Sequence, residues 1–263
     1  MNILCCFKIS PDCDKVVAKD WENAQPPAPD MSYVPKQFGC YDEAGLETAL
    51  RLRDSAQARG VPVTVTAVTV GDGKYGYFAR VLFALGVQRV VRIALPEPVS
   101  FQPEAVSAAI CNAFPDETFD AVVCGVQSAE GGGMTPYLLA KKLGLPCLPN
   151  VTALHCQENG IRVTRETQSG ESEVTVTAPA VYAVGNSKSP YLRLSTVKKR
   201  MAVAQLRPET IAPEDLPAPA PETLSLLRFT CARSGRACIF VEGETCAQKA
   251  ENLLKLCPEV RKA

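Results

Sequence analysis

Two glycine-rich stretches have the spacing that cradles phosphate groups. The first, GDGKYG, spells Gly71-x-Gly73-x-x-Gly76 between VPVTVTAVTV and YFARVLFALG. Glycines let a backbone approach a ligand closely, and a helix N-terminus offers unpaired N–H groups, so the pattern is that of a dinucleotide fingerprint. Its place argues otherwise. The fingerprint follows the first strand of a βαβ unit, whereas this loop follows the second, and the acid that would meet a ribose, Glu97, falls in LPEP beyond the next strand. A nicotinamide-dependent oxidoreductase is therefore disfavoured, and the stretch reads as a tight strand-to-helix turn.

The second stretch, VVCGVQSAEGGGMTPYLLAKKLG, is the stronger candidate. An apolar strand ends at Gly125. A polar loop follows with Gln127, Ser128, Glu130, Gly131, Gly132 and Gly133, and a helix opens near Thr135-Pro136, where proline belongs. Backbone N–H groups and the Thr135 hydroxyl suit an anion, and Glu130 can accept from a ribose or an adenine amine. The loop lacks the GxxxxGK[ST] lysine, which excludes a P-loop NTPase.

Other chemistry is thin. Twelve cysteines include no CxxC pair, and the one histidine, His155, has no Ser-His-Asp or HExxH context. The thiols read as reduced and mostly buried. Adjacent Cys5 and Cys6 read as packing in a central strand.

The elements that must position the loops follow from periodicity. Strands are expected at 2–9, 62–70, 87–95, 119–125 and 179–185; helices at 42–60, 75–86, 103–114 and 134–144. Phe78, Val81, Leu82 and Leu85 give one helix its apolar stripe. Alternating strands and helices predict a doubly wound, mostly parallel α/β sheet. Residues 150–178 alternate apolar and polar around ENG and QSGE, an antiparallel excursion at the sheet edge. Residues 10–40 read as a long functional loop and 186–203 as a loop running into a basic segment. Three parts are expected: an α/β domain over 1–207, a Pro-rich linker over 208–224, and a C-terminal arm over 225–263. In the arm, 237–243 reads as a strand and 244–257 as a helix with Ala247, Ala250, Leu253 and Leu254 on one side. So small a unit needs a partner surface.

Apolar residues at 46% and charged residues at 21% suit a soluble globular protein, and Lys plus Arg (28) balances Asp plus Glu (28), which lacks the footprint of a nucleic-acid binder. The start MNILCCFKIS has no charged n-region, and no apolar run reaches spanning length, so neither a signal peptide nor membrane insertion is expected and the cytoplasm is the default.

Taken in order, these stretches resemble the β subunit family of electron transfer flavoproteins. NILCCFKISPD is similar to its opening strand, GCYDEAGLETALRLRD to its first helix, AVTVGDGKYGYFARVLFALGVQRVVRI to its second βα unit, and DAVVCGVQSAEGGGMTPYLLAKKLGLP to its nucleotide loop. RVTRETQSGESEVTVTAPAVYAV and SPYLRLSTVKKRMA resemble its most specific strand pair and its recognition loop. The resemblance covers nearly the whole chain. It implies a Rossmann-like, adenine nucleotide alpha hydrolase-like fold. It also implies a heterodimer with an α subunit that carries FAD, and a second nucleotide in this subunit: AMP, or FAD in bifurcating members. Electrons would pass from a flavin dehydrogenase of the acyl-CoA dehydrogenase type to an acceptor, with no catalytic group from this chain.

Carried over residue by residue, cofactor contacts would come from Cys6, Lys8, Tyr41, Asp42, Glu43, Val70, Gly71, Gly125, Gln127, Glu130, Gly131, Gly132, Gly133, Met134 and Thr135, with Tyr41 placed near the α-subunit flavin. Leu194 would anchor the dehydrogenase. The chain departs from the family with Glu130 for an Asp, Met134 for a Gln and Gly39-Cys40 for an Asn-Pro type pair, which implies a divergent, paralogous branch. The alternative from another class is a stand-alone adenine-nucleotide-binding regulatory or ligase-like module. That module would carry an SGGxDS-type loop after the first strand, where ISPDCD stands.

Overall fold

The computed structural model describes residues 1–22, 30–71, 73, 75–95, 102–128, 132–216 and 238–257, and the chain divides into units Met1–Phe229 and Thr230–Ala263. In the first unit, β1 (Asn2–Cys6) is followed by β2 (Ile9–Pro11), α1 (Ala18–Glu22) and β3 (Lys36–Phe38). Then come α2 (Cys40–Gln57), β4 (Thr64–Val70), α3 (Gly76–Ala84), β5 (Arg89–Ile93), α4 (Pro103–Ala113), β6 (Ala121–Gly125) and α5 (Thr135–Leu143). The unit continues with β7 (Cys147–Gln157), β8 (Gly160–Thr167), β9 (Gly170–Val176), β10 (Ala180–Val184), α6 (Val197–Ala202) and β11 (Glu209–Ile211).

Nine strands form one sheet in the order β11-β5-β4-β1-β6-β10-β7-β8-β9. Pairing is parallel from β11 to β7 and antiparallel across β7, β8 and β9. β7 belongs to both regimes: Cys147 and Leu148 pair with β10, and its second half pairs with β8. The sheet is doubly wound, as its strand pattern predicts. Ile3 and Cys5 of β1 face a core built with Leu46, Leu50 and Leu82, whereas Leu4 and Cys6 face a core built with Ile110 and Leu139. Successive side chains of a strand point to opposite faces, so a strand covered on both faces must be apolar throughout. That is why NILCC shows no alternation.

The helices are tied at their ends. Pro136 sits in the first turn of α5, and Gly144 at φ 67° closes it in the left-handed conformation. Buried Arg53 of α2 donates from Nη1 to the carbonyl of Leu85, just past α3, at 2.8 Å.

Three readings need correction. Residues 10–40 are not all loop: β2 and β3 pair antiparallel as a separate two-stranded sheet. Residues 208–224 are not all linker: Glu209–Ile211 is β11, pairing in parallel with Val91–Ile93. An edge strand pairs on one side only, so Pro208 and Pro213 can bracket it without breaking a ladder. Arg89 then bonds Glu209 at 2.8 Å, and Leu216 is buried on the α4 side. The segment 186–203 also contains α6, whose first turn is capped by the Thr196 hydroxyl accepting from Lys199 N–H at 3.3 Å.

In the second unit, α7 (Cys246–Leu256) matches the expected helix and carries a Thr245/Gln248 capping box. Residues 238–243 form no strand among the described residues, and Phe240 is 85% exposed. An apolar run needs a neighbouring ladder to become a strand.

Leu82 of α3 is fully buried in the first core. Leu82→Ala should cost about 2–5 kcal/mol, measurable as a lower denaturation midpoint with an unchanged slope.

Candidate functional site

The chain leaves β1 for β4 and β5 on one side, then crosses back to β6 on the other. The carboxyl ends of β1 and β6 therefore flank the switch point of the sheet, where open α/β folds bind ligands. A cavity of about 350 Å³ lies there. Its floor is Cys6 at the end of β1 with Phe7 and Lys8 after it, Val68–Val70 at the end of β4, and Cys124 and Gly125 at the end of β6. Its rim is the loop of Gln127, Ser128, Gly132 and Gly133 leading to Thr135 and Pro136. One wall is apolar, from Val106 and Ile110 of α4.

The first turn of α2 closes the other side. Gly39 N–H donates to the Lys8 carbonyl at 3.1 Å. The Asp42 carboxylate accepts from the backbone N–H groups of Lys8 and Gly125, so one side chain ties the ends of β1 and β6 together. Gly125 makes this possible: a Cβ there would lie 2.9 Å from the Tyr41 carbonyl carbon and 3.0 Å from Asp42 N. Gly133 is as constrained. Its φ is 70°, and a Cβ would meet the Val126 carbonyl oxygen at 2.8 Å. This turns the loop back so that α5 begins at the cavity.

The electrostatics are balanced. Lys8 and Asp42 are opposite charges on the lining. Asp42 is buried, which pushes its carboxyl up to about 7; the two backbone N–H groups and the Lys8 charge pull the other way. Its Oδ2 has no hydrogen-bond partner among the described residues. The start of α5 leaves N–H groups without helical partners, a favourable place for an anion. Burial raises the Cys5 thiol well above its ordinary value. A hydrogen bond with Cys6, added to burial, does the same for Cys124. Both therefore stay protonated, which makes them packing groups rather than nucleophiles.

Of the residues singled out from sequence, Cys6, Lys8, Asp42, Val70, Gly125, Gln127, Gly132, Gly133, Met134 and Thr135 line this cavity. Tyr41, Glu43 and Gly71 do not. Tyr41 packs its backbone against Gly125, and Glu43 turns to accept from Leu192 N–H at 3.1 Å. Gly71 leaves β4 at φ 136° and donates its N–H to the Ile93 carbonyl, which makes it a strand exit. Glu130 and Gly131 lie outside the described residues, as do Asp72, Lys74 and Glu97. Leu194 is 97% exposed. His155 is exposed on β7, and no cluster of metal-binding side chains occurs among the described residues. Sequence reasoning missed Phe7, Thr69, Cys124 and the α4 wall. Val106 and Ile110 stand four apart after Pro103, a signal indistinguishable from ordinary core.

Fold and site define a doubly wound α/β protein with a ligand crevice at its switch point. Comparison with known proteins makes this specific. The family model of the electron transfer flavoprotein domain matches residues 32–216. The chain is 32% identical over 258 residues to YgcR of Escherichia coli (strain K12), covering 96% of each; that protein's own description as an electron transfer flavoprotein subunit is provisional. It is 27% identical over 259 residues to the electron transfer flavoprotein subunit beta of Syntrophomonas wolfei subsp. wolfei, covering 97% of this chain and 96% of that one. The subunit beta of Bacillus subtilis (strain 168) is 26% identical over 142 residues, 53% of each chain. The chain belongs to the electron transfer flavoprotein family. No helix among the described residues is long and apolar enough to cross a membrane.

The Asp42 carboxyl makes a pH prediction. Its folded pKa lies above its unfolded one, so the folded state holds the proton more tightly and stability falls as pH rises between 3.8 and about 7, then levels. Asp42→Asn keeps an acceptor and removes the charge. Its melting temperature should exceed the parent's by a margin that grows across that window and is flat above it. Parallel melting curves at every pH would contradict the buried-acid assignment.

Proposed function

We propose that this chain acts as the β subunit of an electron transfer flavoprotein. In this reading it holds a nucleotide, AMP or FAD, in the switch-point cavity and pairs with an α subunit that carries FAD. The pair passes electrons from a flavin dehydrogenase of the acyl-CoA dehydrogenase type to an acceptor. The supporting observation is convergence: ten residues that the family resemblance names come from separate elements and line one cavity.

The residues present fit such a group. The start of α5 and the Gly132–Gly133 backbone would take a phosphate. The apolar wall of Val68, Val106 and Ile110 would cover a flat ring and exclude water. The unpartnered Asp42 Oδ2 would meet a polar edge, donating when protonated and accepting when charged. A bound flavin would supply a one- or two-electron carrier; AMP would be structural. The chain's own part is to bind, orient and shield. Exposed Leu194 would be the apolar anchor for the dehydrogenase, and α7, with Leu253 and Leu256 half exposed, would dock on the α subunit.

The test is to purify the heterodimer, denature it and identify the released nucleotides by mass spectrometry. AMP with one FAD, or two FAD, supports the reading and tells a simple carrier from a bifurcating type. One FAD and nothing more would contradict the role given to the cavity, and no partner and no flavin would contradict the whole reading. Gly133→Val should release the second nucleotide while α-bound FAD stays. Leu194→Ala should raise the KM for reduced dehydrogenase about tenfold with assembly intact; loss of assembly would refute its role.

A further inference from the structure

We propose that Arg193 is a positioning residue: a row of carboxylates on α2 clamps it so that Tyr191 and Leu194 are held outward. The proposal rests on the reading of Leu194 as a partner anchor and adds how the loop is preset.

The contacts are specific. The Arg193 guanidinium grips Glu47 from Nε at 2.9 Å to Oε2 and from Nη2 at 2.9 Å to Oε1, and reaches Asp54 through Nη1. The backbone joins in: Arg193 N–H donates to Glu47 Oε2 at 3.1 Å, and Leu192 N–H donates to Glu43 Oε1 at 3.1 Å. Glu43 and Glu47 are one turn apart, and Asp54 lies two turns beyond Glu47, so one face of α2 presents all three. Glu47 is 2% exposed, and Leu192 is buried in the core.

With residues 192 and 193 drawn inward, the chain must turn their neighbours out. Tyr191 is 78% exposed and Leu194 97%. Two exposed apolar side chains on a loop of little regular structure would otherwise collapse onto the surface or sample many conformations. Ordering them before an encounter removes an entropic cost from binding. The planar fork matters here, since a lysine at 193 would keep the charge but lose the paired geometry. Arg51 also bonds Glu47, at 2.9 Å, but its own side chain is 56% exposed and its contact holds no part of the loop.

Removing Arg193 alone would leave a buried carboxylate short of a partner. The test therefore uses Arg193→Met with Glu47→Gln, alongside Arg193→Lys and Leu194→Ala, all as purified heterodimers. Two quantities are read: amide hydrogen exchange at 192 and 193, and the KM and kcat for a substrate-reduced acyl-CoA dehydrogenase as electron donor. The expected result is exchange about tenfold faster in the double variant, with KM raised about fivefold, kcat within about twofold, and Arg193→Lys intermediate. Exchange at the parent rate overturns the proposal whatever the donor does. Faster exchange with KM unmoved also overturns it, provided Leu194→Ala raises that KM. If neither variant moves KM, the anchor reading of Leu194 is what fails, and the proposal goes with it.

Discussion

The architecture of the site depends on one close approach: the first turn of α2 against the end of β6. Gly125 permits it, because any side chain there would strike the backbone of Tyr41 and Asp42. Once that turn is seated, Asp42 reaches the N–H groups that follow β1 and end β6. The β1–β6 pairing stops at Cys5 and Val123, so beyond it the carboxylate takes the place of the hydrogen bonds these two strands no longer exchange. The cost is a buried acid held partly against its charge, and the result is a cavity with a fixed floor.

The same helix serves two places. Asp42 in its first turn lines the cavity, and Glu43, Glu47 and Asp54, spread from that turn along the helix, reach the 191–194 loop. α2 is packed along its length, with Leu46, Leu50, Leu52 and Ala56 buried. A helix so embedded gives the loop a firmly packed base. It also explains why Glu47 can be buried: its lone pairs are met by Arg193, Arg51 and a backbone N–H.

Much of the fold was legible along the chain. Strands from 2 to 125 declare themselves as short apolar runs bounded by turn signals, and helices from 42 to 144 by their period of 3.6 and their end signals. The short elements were not. β2, β3 and β11 have three residues each, too few for a period, and they exist because a partner strand lies beside them. Conversely, the apolar 237–243 run has strand-like composition, and its described residues find no ladder. The Arg193 clamp was hidden for a related reason: Glu47 and Arg193 are 146 residues apart.

The sequence by itself determined the alternation of elements and the two-face burial of the central strands, because these depend on residue type and local spacing. Only the tertiary structure decided what each glycine packs against and which surface each carboxylate meets. Gly71 and Gly125 look alike in sequence, yet one is a strand exit and the other the seat of a helix. Asp42 and Glu43 are adjacent, yet one faces the cavity and the other the loop. Neighbours on a helix point about 100° apart, so which of them meets which surface is set by what packs around the helix.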